Sequence, residues 1–568
     1  MTKIKRVSGS EALLMALAEE GVDTIFGYPG GSIMPIYDAL YQNTHHLRHI
    51  LTRHEQGAVH AAEGYARATG RVGVCFATSG PGATNLITGI ADAMIDSTPI
   101  VCVTAQVPSK ALGTDAFQEA DMISMTSPIT KWNYQVTSAD EIAEAIAKAF
   151  YIARTGRPGP VVIDITKNAQ VEIVDFRYEK CQGLRCYHEK PTVDLSRVDQ
   201  AAALLNDALR PLIVFGQGVK LAGAERELMA LSEKGNIPMA STLMGLSAVP
   251  SDHPHYVGMV GMHGNVAPNW LTQECDVLLA VGMRFSDRVT GDVKSYAPKA
   301  KVIHVDIDAS ELGRLVKPAI GIHGDAADVL DLLGERVHGK DRSEWFALAK
   351  KKYDEEFCAI IDSDLHPTKQ RITMGEVIGK VAELTDADAV IVTDVGQQQM
   401  EAARYSKYTK TRSLITSGGL GTMGYGFPAA IGAKIGLPER EVVLFAGDGG
   451  IQMTIQELGT VMEWNVGVKI IILNNSYLGM VRQWQELFFG RRYSSTPMQN
   501  PDFVQIANAY RIPARRATTH SELDEALKEM FASPGAYLLE VAVDEEDNVF
   551  PMIPSGASVS DILYNAES

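Results

Sequence analysis

An apolar run at residues 442–446 leads directly into Gly447-Asp448-Gly449-Gly450, and a second run at 468–473 ends in Asn474-Asn475. The intervening residues 450–473 are enough for one right-handed crossover between parallel strands. Asp448 and Asn475 are therefore expected at carboxyl ends of strands, the ligand crevice of an open α/β sheet. There a carboxylate and an amide oxygen, with a backbone carbonyl from the following loop (Tyr477 is the candidate), suit Mg²⁺. That ion takes octahedral oxygen ligands and shares them with a phosphate-bearing ligand. Gly447, Gly449 and Gly450 would let backbone N–H groups approach a diphosphate, as a helix N-terminus does. Gly-Asp-Gly alone fits a plain turn equally well; the Asn pair at strand-end spacing favours the metal site.

The elements that must hold these residues follow from periodicity. Strand-length apolar runs alternate with small-residue helical patterns almost throughout, which predicts α/β layers around parallel sheets. Runs at 24–27, 72–77, 99–104 and 160–165 belong to a first unit, 211–215, 277–281 and 302–308 to a second, and 389–394, 442–446, 468–473 and 537–541 to a third. The expected domains are residues 1–180, 190–345 and 370–543, with a tail from 544 to 568. The polar stretch 177–195 reads as a linker, 340–364 as a helix and connection, and a helix is expected to start at Ser8 or Ser10 and another to span 454–465. At 568 residues, roughly 150 residues per domain suggests three or four domains.

Composition excludes several classes. The net charge of −17 argues against a nucleic-acid backbone as partner. No stretch approaches the ~18 apolar residues of a membrane span, and the first residues resemble neither a signal peptide nor a transit segment. The six cysteines are dispersed, and the close pair Cys181 and Cys186 lacks the partners of a zinc site. Buried free thiols in a reducing, cytoplasmic compartment are the expectation.

The Gly-Asp-Gly…Asn-Asn arrangement resembles the fingerprint of thiamine-diphosphate enzymes. Such an enzyme needs a carboxylate to exchange a proton with the cofactor's aminopyrimidine. The segment Arg53-His54-Glu55-Gln56-Gly57-Ala58 resembles the family's glutamate segment and supplies Glu55 where a strand passes into an Ala-rich helix. Alone, that acid would pass as a helix first-turn residue favoured by the dipole. Met423, among Gly419, Gly421, Gly424 and Gly426, matches the bulky side chain that holds the cofactor bent, and Gly396, Gln397 and Gln398 match further diphosphate contacts.

Over residues 8–562 the chain resembles the catalytic subunits of acetohydroxyacid synthases. The matches include Gly27-Tyr28-Pro29-Gly30-Gly31, Ser79-Gly80-Pro81-Gly82-Ala83-Thr84-Asn85, Gly113 to Glu119, Arg157-Pro158-Gly159 and Gly479 to Trp484. The resemblance implies three doubly wound parallel-sheet domains and a reaction joining pyruvate to a second pyruvate or to 2-oxobutanoate with loss of CO₂. It assigns catalysis to Glu55, Gln118 and Lys167. It adds Tyr28, Pro81, Asn85, Gly447, Gly449, Gly450, Gly479 and Met480 to the thiamine-diphosphate contacts, and Gly31, Phe117, Val481 and Trp484 to the substrate pocket. Trp484 goes with preference for the longer acceptor; a buried structural Trp is the alternative.

The same resemblance implies a non-redox FAD held by Arg157, Gly216, Gln217, Gly218, Met262, His263, Gly264, Arg284, Asp306, Asp308, Gly324 and Asp325. The residues alone show only Gly-rich strand ends and acids there. The sequence departs from the family's usual pattern at Gln398, Glu401, Met283 and Ser286. The resemblance also implies a homodimer or homotetramer with active sites between subunits, since Glu55 and Asp448 come from different chains, and a separate small regulatory subunit. Pyruvate oxidase and simple 2-keto-acid decarboxylases are rivals sharing the cofactor.

Overall fold

The computed structural model describes residues 5–42, 45–185, 187–368 and 370–566. Among the described residues, twenty strands form one short antiparallel pair and three parallel six-stranded sheets. The pair is β1 (Lys5–Ser8) with β8 (Ile173–Phe176). Ser8 then caps the helix Gly9–Glu19 in a capping box: its hydroxyl accepts the Glu11 N–H at 3.2 Å and Glu11 Oε2 accepts the Ser8 N–H at 2.9 Å.

The first sheet contains β2 (Thr24–Tyr28), β3 (Arg48–Leu51), β4 (Gly73–Ala77), β5 (Ile100–Gln106), β6 (Trp132–Val136) and β7 (Val161–Thr166), in the order β3-β2-β4-β5-β7-β6. The middle sheet contains β9 (Pro211–Phe215), β10 (Met239–Ser241), β11 (Tyr256–Met259), β12 (Val277–Val281), β13 (Lys301–Asp306) and β14 (Ile320–His323), ordered β11-β10-β9-β12-β13-β14. The third contains β15 (Val390–Thr393), β16 (Leu414–Ile415), β17 (Val442–Gly447), β18 (Lys469–Asn474), β19 (Ala514–Ala517) and β20 (Tyr537–Ala542), ordered β16-β15-β17-β18-β20-β19. Numbered within each domain, the first and third sheets share the order 2-1-3-4-6-5. The middle one runs 3-2-1-4-5-6, the dinucleotide-binding order.

The central strands are buried on both faces, as β4, β5, β7, β9, β12 and β18 all show along their length. This is why they read as continuous apolar runs rather than as alternating ones. No regular helix or strand occupies the described residues of 177–194, and residues 340–365 form the helix Ser343–Glu356, a π-turn at Phe357–Ile361 and the short helix Asp362–Leu365. No helix among the described residues is long and apolar enough to cross a membrane.

Two expectations need correction. The helix after β17 begins at Asp448, not near Thr454. It runs as Asp448–Thr454, a 3₁₀ turn at Ile455–Glu457 and then Leu458–Trp464, with Asn465 closing it at φ +50°. Gly449 and Gly450 hide this start from a propensity reading. In a first turn, though, the N–H groups have no partner within the helix, and glycine leaves them open to a ligand. The cysteines are also not uniformly buried: Cys75, Cys102 and Cys275 are, Cys181 is half-buried and Cys358 is exposed on the π-turn, while Cys186 lies outside the described residues.

The first and third domains dock through a close helix crossing. A Cβ on Gly64 of helix Glu55–Thr69 would lie 2.0 Å from the Ala429 carbonyl oxygen, and one on Gly432 of helix Gly426–Gly436 would lie 1.9 Å from that of Ala61. Only glycine allows backbones to approach so closely.

Candidate functional site

Three helices of the third domain begin at the carboxyl end of its sheet: Gln397–Tyr405 after β15, Asp448–Thr454 after β17 and Gly479–Phe488 after β18. β15, β17 and β18 are consecutive in the sheet, so their N-termini and unpaired N–H groups share one crevice suited to an anion. Gly396 precedes the first helix at φ +151°, and Gly447 precedes the second in an extended conformation.

Asp448 is buried, and burial pushes its carboxyl up to about 6 against the bonds that favour the charge. Asn500 donates to its Oδ2 at 2.6 Å and to Asn474 Oδ1 at 3.0 Å. Nothing in sequence pattern marks Asn500 for this role, because it comes from a loop beyond the helix that follows Asn475. Asn475 is buried beside it; its amide donates to Gln397 Oε1 at 3.1 Å, which leaves Oδ1 as the acceptor face, where the Tyr477 N–H sits at 3.2 Å. Gln397 is itself held by Gln483 at 3.0 Å and by the Asp547 carbonyl at 2.9 Å. A buried carboxylate with no cationic side chain in contact, an oriented amide oxygen and the Tyr477 segment fit a hard divalent cation. Among the described residues no cluster of three or more His, Cys, Asp or Glu offers a metal site.

The glycines shape the same crevice. A Cβ on Gly479 would meet Gln397 Oε1 at 2.1 Å, one on Gly450 would meet Asp394 Oδ1 at 2.3 Å, and the space above Gly396 and Gly447 is filled by Gln398. Met423 lies over Gly449, its Cε 3.7 Å from the position a Cβ would take there, on a loop turned by Gly421 at φ +72° and Gly424 at φ +87°. Asp394 at the end of β15 accepts the Gly424 and Gly426 N–H groups, at 3.0 and 2.9 Å. Its role was not evident from its position in a strand-end segment.

The first domain presents a second set. Glu55 opens the helix Glu55–Thr69, with His54 as N-cap, and accepts Asn85 Nδ2 at 3.0 Å. Gly80 at φ +64° passes against the backbone of Gln118, itself at φ +61°, so the 79–85 loop brings Glu55, Pro81, Asn85 and Gln118 to one end of the sheet. Tyr28 ends β2 and Lys167 follows β7 at that same end; Gly31 faces open space and Phe117 is 88% exposed.

A cavity of about 1210 Å³ runs between the domains. Ten of the expected flavin contacts line it: Arg157, Gly216, Gln217, Gly218, Met262, His263, Arg284, Asp306, Gly324 and Asp325. Gly264 and Asp308 do not. Gly264 is packed under the Met259–Gly261 backbone, and Asp308 is turned to Arg157 at 3.2 Å. Gly396, Gly421, Met423, Met480, Val481 and Trp484 continue the wall. His263 is buried with Nδ1 lacking a partner, and burial, with Arg404 and Arg288, drives its pKa down to about 3, so the ring is neutral. The Trp484 indole N–H is likewise buried without an acceptor. These orphaned polar atoms, beside the dinucleotide-order sheet, fit a large ligand with polar groups. Glu55, Gln118, Lys167 and Phe117 do not line this cavity.

Comparison with known proteins agrees with this geometry. Residues 7–125 match the family described as "Thiamine pyrophosphate enzyme, N-terminal TPP binding domain", 198–333 its central domain and 394–541 its C-terminal TPP binding domain. Fold and site thus define the class as thiamine-diphosphate-dependent enzymes. The chain is 46% identical to the "Probable acetolactate synthase large subunit" of Methanocaldococcus jannaschii (98% of this chain, 95% of that one). It is 44% identical to the acetolactate synthase isozyme 2 large subunit of Escherichia coli (98% and 99%) and 44% to the acetolactate synthase large subunit of Corynebacterium glutamicum (99% and 90%). The chain belongs to the acetolactate synthase large-subunit family.

Proposed function

We propose that the chain joins two pyruvate molecules to 2-acetolactate with loss of CO₂, and pyruvate with 2-oxobutanoate to 2-aceto-2-hydroxybutanoate, in branched-chain amino-acid biosynthesis. The observation that supports this is the adjacency of Met423 to a cavity wall of Met480, Val481 and Trp484, an apolar surface suited to an acceptor keto acid beside the loop read as bending the cofactor. Thiamine diphosphate supplies the carbon nucleophile when bound. Asp448, Asn475 and the Tyr477 carbonyl would hold Mg²⁺, and Gly396, Gln397, Gln398, Gly447, Gly449, Gly450 and Gly479 the diphosphate. Glu55 holds and exchanges a proton, with Asn85 fixing one of its oxygens. Gln118 and Lys167 bind and orient the keto acids, and Trp484 covers the acceptor's extra methylene. FAD would occupy the inter-domain cavity without redox use, with Arg157 and Arg284 among the residues that would hold it.

Glu55 and Gln118 do not line the cavity that Met423 borders, which supports a site completed by a second copy, so a homodimer or homotetramer is the working assembly. Relatives named as large subunits support a separate small regulatory subunit. A cytoplasmic location fits the same reading. The test supplies pyruvate, thiamine diphosphate, Mg²⁺ and FAD and follows products. Acetolactate is expected; predominant acetaldehyde or acetyl phosphate would replace the synthase reading with a decarboxylase or oxidase.

A further inference from the structure

The loop that presents Met423 belongs to the third domain, yet several of its anchors come from the first. Asp96, the C-cap of helix Ile87–Ile95, accepts the Gly418 N–H on Oδ2 and the Gly419 N–H on Oδ1, both at 2.8 Å. Asp92, one turn earlier, accepts on Oδ1 the hydroxyls of Ser417 and Thr422, the latter at 3.0 Å. Arg67, in the last turn of helix Glu55–Thr69, donates to the Thr416 carbonyl at 2.7 Å and to Asp96 Oδ2 at 2.9 Å. Thr416, Ser417, Gly418, Gly419 and Thr422 are therefore each bonded to a first-domain side chain, and Met423 comes next.

Arg67, Asp92 and Asp96 are all buried, and the guanidinium also lies 3.6 Å from Asp92 Oδ2 and 3.8 Å from Glu63. A loop with Gly418, Gly419, Gly421 and Gly424 has wide backbone freedom, so its own sequence does not fix Met423. Within the third domain, Thr393 and Gln399 hold only Thr416 and the Ser417 carbonyl upstream, and Asp394 holds Gly424 and Gly426 downstream; the Gly418 and Gly419 N–H groups are held from the first domain. We propose that Asp92 and Asp96, held by Arg67, are positioning residues for Met423, so that the first domain sets the cofactor-bending loop in the third domain of the same chain. Glu55 stands at the opposite end of the helix that carries Arg67, about 18 Å away at 1.5 Å per residue. One helix thus carries a proton-exchanging carboxylate at its start and the loop clamp at its end. This rests on the reading of Met423 as the side chain that bends thiamine diphosphate.

The test measures hydrogen–deuterium exchange at C2 of thiamine diphosphate bound with Mg²⁺ to the full chain, together with cofactor affinity and thermal unfolding. Asp96→Asn can accept only one of the two amide N–H groups, so exchange should slow by about 10–100-fold while affinity stays within about threefold. Asp92→Asn keeps the oxygen that faces Ser417 and Thr422 and should exchange faster than Asp92→Ala, whatever their order in thermal stability. Ser417→Ala, which disturbs the clamp from the loop side, serves if Asp96→Asn does not fold, and should slow exchange by about tenfold. Wild-type exchange in a folded Asp96→Asn or Ser417→Ala, beside slow exchange in Met423→Ala, overturns the clamp alone. Wild-type exchange in Met423→Ala removes the role of Met423 and the clamp with it.

Discussion

The first and third domains share one strand order, 2-1-3-4-6-5, and gather their functional side chains at the same end of the sheet, yet they are equipped oppositely. The third domain has glycines at helix N-termini, a buried Asp448 and an amide aligned by Gln397: parts suited to an anion and a cation. The corresponding end of the first domain has Glu55 held by Asn85, with Gln118 on a strained loop beside it: parts proposed to move a proton and orient substrate. The topology decides where a crevice forms; the residues on its rim decide whether the crevice binds or reacts.

The sharpest break of this comparison is Glu55→Gln. It should lower C2 proton exchange by about 10²–10⁴-fold while thiamine-diphosphate affinity, expected to rest mainly on the third domain's diphosphate and Mg²⁺ residues, is little changed; equal losses in both would erase the division of labour. Next, Asn500→Ala removes the donor that steadies Asp448 and should weaken Mg²⁺-dependent cofactor binding by about 10–100-fold in calorimetric titration. A first-domain loop variant, Asn85→Ala, should weaken that affinity less, since its amide holds Glu55 rather than Asp448 or Asn475.

The docking of the two domains gives a stability test. Gly432→Ala drives a methyl into the Ala61 carbonyl and should cost about 1–3 kcal/mol, read as a lowered unfolding midpoint. Gly183→Ala, with open space around it, should not. Trp484→Leu should lower the preference for 2-oxobutanoate over pyruvate by about 1–3 kcal/mol in competition assays; an unchanged product ratio makes the indole structural.

The smallest effect concerns Asp164 on β7. Burial raises its carboxyl to about 6 from 3.8, although Thr104, Gln135 and Gln106 hydrogen-bond it. The folded state therefore binds its proton more tightly than the unfolded chain, a stabilisation present at low pH and lost as pH rises through about 6. Asp164→Asn should flatten that part of the stability–pH curve between pH 4 and 7; parallel curves would show that Asp164 does not titrate there.

Much of the frame was legible in advance. The central strands of each sheet are buried on both faces and so spell themselves as apolar runs, and Asp448 and Asn475 sit where such runs end, whereas Glu55 opens a helix after the partly exposed edge strand β3. Less was visible where pattern is weak. β11 and β19 are partly exposed edge strands whose alternation is incomplete, β16 is too short to show a period, and the helix start at Asp448 is masked by glycine. Asn500, Asp394, Asp92 and Asp96 look like ordinary loop, strand-end and helix residues, because their partners are distant in the chain.

What the sequence by itself determined is therefore the local chemistry: a carboxylate and an amide at strand ends, glycines beside them and a glutamate at a helix start. Those features follow from propensity and spacing over a few turns of chain. Only the tertiary structure decided the rest. It set the dinucleotide strand order of the middle sheet, the cavity shared by Arg284, Met423 and Trp484, the glycine contact of Gly64 with Ala429, and the hold of Asp92 and Asp96 on a loop more than 300 residues away. Such contacts depend on how surfaces of different domains meet, and no periodicity along one segment encodes that.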